Sequence, residues 1–394
     1  MKKESVLYLI VFFIFGCSTD KQEEGLPCID ISKNYPEKEI ILTDIADVSY
    51  LCLNSDNKDF LYNSPINISS ITKNTVVLFD SDLGKILFFS KDGSPKSQFT
   101  CIGQGPEECV QPHKVIYDEE ADEVFVYSFA GDIQVYSSTG KYKRKIVLPE
   151  GFFSNYFFLF DNESFLLYDA IFQFSTGKRD EDDDRPVSIF PDPCVLFSRT
   201  NGEVLDFVKI PTNEAELVVY VDGRKVSTIT KPVIKTENGF FLCNPSTDTV
   251  FLYDKNRILT PVICKTPLVK DLNPKVIMNN CLDFGGYQFL EIITIKHDPE
   301  LPTRRPIKYL IRNKKTGEVL QQKITLPDYK GKDFILGSNV TRIYDEGAIF
   351  ELELAELKQA DRENKLSGKL KELVTSLNED DDNNIFMFVD FSIK

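Results

Sequence analysis

Apolar and polar positions along this chain alternate in short runs, with few stretches of helical period. Val76-Val-Leu-Phe79, Glu123-Val-Phe-Val-Tyr127, Tyr156-Phe-Phe-Leu-Phe160, Gly239-Phe-Phe-Leu-Cys243 and Gln288-Phe-Leu-Glu-Ile-Ile293 are rich in β-branched or aromatic residues. Each is bounded by Asp, Asn, Gly or Pro, the pattern of a short strand. A second phrase follows each run: an apolar strand, a polar turn usually closed by Gly, and another strand. It reads Lys85-Ile-Leu-Phe-Phe-Ser-Lys-Asp-Gly93, Asp132-Ile-Gln-Val-Tyr-Ser-Ser-Thr-Gly140 and Cys194-Val-Leu-Phe-Ser-Arg-Thr-Asn-Gly202. Asp248-Thr-Val-Phe-Leu-Tyr-Asp-Lys-Asn256 and Lys308-Tyr-Leu-Ile-Arg-Asn-Lys-Lys-Thr-Gly317 continue the series.

These turns recur at roughly 47 to 62 residues, a spacing close to that of propeller blades. A four-stranded unit must bury its faces against neighbours, so the array predicts one closed ring. The expected fold is an all-β, six-bladed β-propeller with four-stranded blades at 60–101, 111–149, 154–211, 217–265, 273–326 and 335–394. An acidic, Pro-containing loop from Ser175 to Asp192 stretches the third blade. In the last, Leu366, Leu370, Leu373, Val374 and Leu377 lie on one face at helical spacing and predict one amphipathic helix of about three turns. Ile385-Phe-Met-Phe-Val-Asp-Phe391 follows as a final strand. Ring closure needs an N-terminal partner for it, and Glu39-Ile-Ile-Leu42 or Val48-Ser-Tyr-Leu-Cys-Leu53 can serve.

The first residues read as a processing signal. Lys2 and Lys3 precede an apolar run from Val6 to Phe15. That run is too short for a spanning helix, which needs about 20 residues, and suits a signal peptide. Ile14-Phe15-Gly16-Cys17 resembles a lipobox, with Phe15 where a small residue is usual. It implies cleavage before Cys17 and a lipid on its thiol. The expected organisation is therefore a signal peptide over 1–16, an acidic tether over 17–37 and the propeller over 38–394. The alternative is an ordinary signal peptide with an incidental Cys.

A family resemblance rests on Ile102-Gly-Gln-Gly-Pro-Glu-Glu108, with Val115-Ile-Tyr-Asp118, Val124-Phe-Val-Tyr127 and the closing strand after Asp381-Asp-Asn-Asn384. Together these resemble the NHL-like, six-bladed propeller lipoproteins abundant in Bacteroidetes. Glu107 stands where that pattern has Gly, and Cys109 where it has an aromatic residue. The acidic residues in Ser18-Thr-Asp-Lys-Gln-Glu-Glu-Gly25 also resemble a surface-export signal of Bacteroidetes lipoproteins. The resemblance implies the fold and an outer-membrane, cell-surface location. It implies no activity.

A net charge of −15 and a pI near 4.8 argue against nucleic acid as a partner, since phosphate contact needs clustered Lys and Arg. Nine Cys occur without a CxxC pair, which excludes finger and ribbon zinc sites. Cys101 and Cys109 bracket a tight loop and are candidates for a disulfide. Cys194, Cys243 and Cys264 read as small hydrophobes within strands.

Candidate chemistry is sparse. Only His113 and His297 are present, so triads and multi-His metal sites are confined to constellations built on one of them. Asp180, Asp182 and Asp184 have the alternation of a calcium loop, but Arg185 replaces the required Gly and Pro191 the final Glu. Calcium is thus conceivable without a motif, and no cofactor is expected. Gly103 and Gly105 precede Pro106 and two Glu in a β context, unlike a phosphate loop. They read as backbone-shaping residues. There is no Trp, so glycan recognition has no specific residue behind it.

The resulting expectation is a lipid-anchored, non-catalytic module that binds a small molecule, a glycan or an envelope protein. Its ligand-facing candidates are Gln104, Glu107, Glu108 and His113, at the entrance between two blades. The alternatives are a metal-dependent propeller hydrolase or lyase, and a scaffold of an envelope complex.

Overall fold

The computed structural model of the chain describes residues 25–62, 67–175, 187–211, 218–221, 224–227, 230–244, 247–296, 305–338, 340, 347–378 and 382–391. Blade 1 is formed by Asn67–Ile71, Thr75–Asp80, Lys85–Ser90 and Pro95–Thr100. Blade 2 comprises Pro112–Asp118, Glu123–Ser128, Asp132–Tyr136 and Tyr142–Val147. Blade 3 comprises Ser154–Leu159, Ser164–Asp169, Cys194–Ser198 and Val204–Val208. Val233–Thr236, Gly239–Leu242, Thr249–Asp254 and Leu259–Thr266 make blade 4. Lys275–Phe284, Tyr287–Ile295, Ile307–Asn313 and Val319–Gln321 make blade 5. In each, consecutive strands are antiparallel neighbours, and the first strands of blades 1 and 2, of blades 2 and 3, and of blades 4 and 5 touch.

The ring has seven blades, which corrects the expectation of six. Ile324–Leu326 and Tyr329–Phe334 form a separate small blade 6 with Ile40–Ile41. Blade 7 contains Gly347–Leu352, Ile385–Asp390 and Asp47–Cys52. Blade 6 is hidden in the sequence because its strands are three and six residues long, and its third strand lies almost 300 residues away. A hairpin of Val218–Val221 and Arg224–Ser227 stands apart from the blades.

The five repeated phrases are the hairpins joining third and outer strands of blades 1 to 5. Their turns carry Gly93, Gly140, Gly202 and Gly317 at positive φ, with Arg257 taking that conformation in blade 4. Gly202 also packs against the previous blade, where a Cβ would lie 2.3 Å from the Val147 carbonyl oxygen. Gly93 stands in the same relation to Cys52, at 2.1 Å, where blade 1 meets blade 7. Glycine therefore serves the turn and the blade spacing together.

Aromatic rings fill the spaces between blades. Phe88 meets Tyr117 at 5.2 Å, Phe125 meets Phe165 at 5.0 Å, and Phe158 meets Phe240 at 5.3 Å. Removing one such fully buried Phe would cost about 3–5 kcal/mol. Burial also explains the strand composition. Thr75–Asp80 and Ser164–Asp169, covered on both faces, are buried throughout, whereas the outer Pro95–Thr100 alternates.

The N-terminal residues form a strap along the outer edges of four blades. Cys28–Asp30 runs parallel to Cys264–Thr266 of blade 4, and Glu37 bridges Gln321 of blade 5. Ile40–Ile41 then pairs with Ile324–Thr325 of blade 6, and Asp47–Cys52 completes blade 7 against Ile385–Asp390. The second of the two predicted closing segments is thus the one that seals the ring, while the first serves blade 6. Covered edges cannot template pairing with other chains. A Cys28–Cys264 disulfide fixes the start of the strap. Cys101 and Cys109 are buried free thiols, contrary to the suggested pairing.

Two helices, not one, occupy the connection in blade 7. Gly368–Ser376 lies within the predicted span, and Leu354–Arg362 precedes it. Leu354, Leu357 and Ala360 of the first and Leu370 and Val374 of the second are buried. The first helix was obscured because its apolar face is narrow and includes a single small Ala.

Candidate functional site

Inner strands of four blades each carry one extra residue. In blade 2, Pro112 pairs with Ser128 and Lys114 with Tyr127, leaving His113 unpaired between them. Asn155 occupies the same place in blade 3, between Ser154 and Tyr156. Ser69 in blade 1 and Asn279 in blade 5 complete the set. A bulge of this kind bends the strand and re-aims its side chain, and bulges concentrate beside functional sites. Here they place polar residues at the one region all blades share.

His113 and Asn279 each sit in a cluster of contacts. The His113 ring lies tilted against Phe129 at 4.1 Å, Phe129 stacks on Phe153 at 5.6 Å, and the Asn155 side chain favours protonation of His113. Nε2 of His113 is buried without a hydrogen-bond partner among the described residues. Lys231, at the entry to blade 4, donates its backbone N–H to Oδ1 of Asn279 at 3.1 Å. Its ammonium donates to the carbonyl of Ser338. Asn279 donates through Nδ2 to Oε1 of Glu291 at 2.6 Å, and the Ser338 N–H donates to Oε2 at 2.7 Å. Gly337 is confined by the same carboxylate, since a Cβ there would lie 2.8 Å from Oε2. Glu291 is 1% exposed, so this pairing offsets a desolvation cost of several kcal/mol.

Electrostatics tie the groups into one site. Burial lowers the pKa of Lys114, whose ammonium has no hydrogen-bond or ion-pair partner among the described residues. Burial also lowers that of Lys231, where Glu291 acts in the opposite sense and the Lys114 charge reinforces the fall. His113 is pushed down to about 4, first by burial and then by Lys114, so its ring is neutral at pH 7.

Of the residues expected to face a ligand, His113 lies at the ring centre. Gln104, Glu107 and Glu108 lie in the exposed connector leading to it from the outer strand of blade 1. This connector is tightly folded on itself. The Glu108 carboxylate accepts from the Gly105 N–H at 2.8 Å, and a Cβ on Gly103 would fall 1.9 Å from it. The carbonyls of Glu107 and Glu108 accept from Tyr136 and Gln134 of blade 2. Gly103 and Gly105 thus shape the backbone. Cys17, His297 and the Asp180–Asp184 run lie outside the described residues.

Lys114, Asn155, Lys231, Asn279 and Glu291 escaped sequence reasoning. Their signal was polar side chains interrupting otherwise apolar inner runs, as Glu291 does in Phe289-Leu-Glu-Ile-Ile293. A concavity of about 320 Å³ lies between blades 6 and 7 and the helix Leu354–Arg362. Asp333, Glu351, Glu353 and Glu356 line it, with Lys332 paired to Glu356 at 3.3 Å. No group of metal-ligating side chains is present among the described residues.

The fold has solved relatives. The structure aligns with that of a protein described as exported, from Bacteroides fragilis, with a TM-score of 0.60 and 16% identity over 90% of this chain and 97% of that one. A member of the DUF4221 family from Bacteroides vulgatus aligns with a TM-score of 0.44 and 9% identity, over 87% and 97% of the two chains. No protein of curated function matches the sequence. Residues 26–390 match the family described as Domain of unknown function (DUF4934), and with nearly the whole ring inside that match the chain belongs to this family.

Proposed function

We propose that this protein is a non-catalytic binding module of the cell envelope, held to the membrane by a lipid on Cys17, with its ligand site at the centre of the ring. The observation that carries the binding site is the set of inner-strand bulges that bring Ser69, His113, Asn155 and Asn279 toward the shared axis. Bulges cost ladder hydrogen bonds, and four in corresponding strands favour a built site over chance irregularity. Convergent polar groups beside stacked aromatic rings are the composition of a small-molecule pocket. The connector Gln104–His113 forms one approach to it. The envelope location is supported by the Lys2/Lys3 and Val6–Phe15 signal, by Gly16-Cys17, and by the exported description of the Bacteroides fragilis relative.

Three experiments test this reading. Binding of envelope-derived small molecules and glycans should weaken in His113→Ala and Asn155→Ala, and less in Gln104→Ala and Glu107→Ala, with little change in melting temperature. Turnover of lactones or glycosides that a chelator abolishes would overturn the non-catalytic part. Cys17→Ala should leave the membrane fraction or accumulate as precursor. Normal maturation with unchanged membrane attachment would refute the anchor.

A further inference from the structure

Large apolar side chains on the surface are not spread evenly around the ring. Leu83, Ile102, Val110, Phe129, Val147 and Ile189 are 43% to 62% exposed. Topology puts all six on one face, where second strands turn into third strands and outer strands leave for the next blade. Leu83, Phe129 and Ile189 lie between second and third strands of blades 1, 2 and 3. Ile102 and Val110 lie in the connector from blade 1 to blade 2, and Val147 ends the outer strand of blade 2. On the opposite face, the turns 91–94, 137–141, 199–203 and 314–318 hold no large apolar residue, and Ile258 in blade 4 is the exposed exception.

Contacts join the six into one arc. A Cβ on Gly84, next to Leu83, would lie 2.7 Å from Cβ of Ile102. Ile102 is bridged to Cys109, beside Val110, and the Phe129 N–H donates to the Gln111 carbonyl at 3.2 Å. The Leu148 N–H, beside Val147, donates to the Gly131 carbonyl at 3.3 Å, and a Cβ on Gly151 would lie 3.4 Å from Cγ2 of Ile189. A contiguous exposed apolar patch of this kind marks an interaction site. The connector is braced internally, by the Cys109 N–H on the Cys101 carbonyl at 2.7 Å and the Gly105 N–H on the Glu108 carboxylate. Ile102 and Val110 are thus held in place before anything binds, which lowers the ordering cost of docking.

We propose that this arc docks a cationic protein partner, whose apolar side chains sit on it between Lys and Arg side chains. The inference goes beyond the ring-centre site and does not depend on it. The segments that form the arc, 81–84, 101–111, 129–131, 147–153 and 187–191, hold Asp82, Glu107, Glu108 and Glu150 and no Lys or Arg. Among the described residues, the cations beside them in sequence are Lys85, Lys114, Arg144 and Lys145. Lys85 donates to the Leu61 carbonyl, Arg144 pairs with Glu123 and Lys145 with Asp132, so Lys114 alone stands against the four carboxylates. Such a field attracts a basic partner and repels an anionic lipid surface. A second copy docked through the same patch would set like charge against like. Apolar anchors with a charged border are the anatomy of a protein interface.

The test uses the full mature chain and three synthetic amphipathic peptides as probes, built from Lys with Leu, Lys with Ser, and Glu with Leu. Calorimetry should show the Lys/Leu peptide binding most tightly, with an affinity that falls as salt rises. Leu83→Ser with Val110→Ser should weaken that peptide about tenfold, the effect of losing apolar burial at two anchors. The same double variant should leave the Lys/Ser peptide and the melting temperature unchanged, and Ile258→Ser, on the opposite face, should change nothing. If the double variant unfolds, Val147→Ser with Ile189→Ser takes its place with the same expected loss. A Lys/Leu peptide that binds no more tightly than either of the others overturns the proposal. So does an affinity that the arc variants leave unchanged, or that Ile258→Ser weakens equally. Vesicle flotation and sedimentation velocity probe the other occupants. Binding to phosphatidylethanolamine or phosphatidylglycerol vesicles that the arc variants abolish would make this a membrane face, and a dimer that they abolish would make it a self-interface; either result overturns the protein partner.

Discussion

The backbone N–H of Lys231 donates to Oδ1 of Asn279 at 3.1 Å, joining the entry of blade 4 to the bulge of blade 5. Asn279 turns its Nδ2 to Glu291, so one side chain links a backbone group on one blade to a buried carboxylate on another. Glu291→Ala should leave the Asn279 amide and the Ser338 N–H without their acceptor and Lys231 without its counter-charge. A loss of about 3 kcal/mol is expected. Glu291→Gln, which keeps the shape and one of the two acceptor oxygens, should lose less. Urea denaturation of the two variants beside the parent chain measures the difference, and equal losses would show that the carboxylate charge, which both variants lack, outweighs the shape and acceptor that only Gln retains.

His113 makes stability depend on pH in a defined window. Its folded pKa of about 4 lies below the ordinary value of 6.5, so between these limits the unfolded chain binds the extra proton. Stability from this group is therefore complete above pH 6.5 and is lost as pH falls toward 4. The contribution is about 1–2 kcal/mol once the half-exposed side chain is allowed for. Melting temperatures of the parent and His113→Gln should diverge at pH 7 and converge near pH 4. Parallel curves would contradict the burial of a neutral ring.

The Cys28–Cys264 disulfide closes a loop of 236 residues and ties the strap to blade 4. Reductant, or Cys28→Ser, should lower stability by about 3–5 kcal/mol, since the constraint acts mainly on the unfolded chain. Cys101 and Cys109 should remain reactive thiols after denaturation without reductant. Mass-spectrometric mapping of labelled thiols checks both statements.

Truncation after Asn378 removes Ile385–Asp390, the middle strand of blade 7. Ile385, Met387 and Val389 are fully buried there, and both Gly347–Leu352 and Asp47–Cys52 lose their partner. The truncated chain should be insoluble or unfold without a cooperative transition. A soluble monomer with a sharp melting curve would mean that the ring does not depend on this closure.

Hairpins joining third and outer strands were legible in the sequence because each is local. Lys85–Gly93 and Asp132–Gly140 hold both strands and their turn residue within a dozen positions. The same locality explains the failures. Blade 6 draws on residues 40–41 and 324–334, and no local pattern links them. Leu354–Arg362 shows only three buried positions, one an Ala, and sits against a stronger neighbouring helical stripe. His113 could be singled out as a rare histidine, whereas Lys114 and Lys231 looked like ordinary charged residues.

The chain by itself determined strand, turn and repeat, because side-chain periodicity and turn chemistry act over a few residues. It also determined an acidic composition that disfavours nucleic acid. Blade number, the course of the N-terminal strap and the Cys28–Cys264 pairing were decided by tertiary structure, as each depends on which distant edges remain open once the ring closes. The ring-centre site belongs to the same class. Single-residue bulges at 69, 113, 155 and 279 shift side chains from one face to another, and such a shift leaves no mark in composition or spacing. Convergence of His113, Lys114, Lys231 and Glu291 exists only because separate blades meet at one axis.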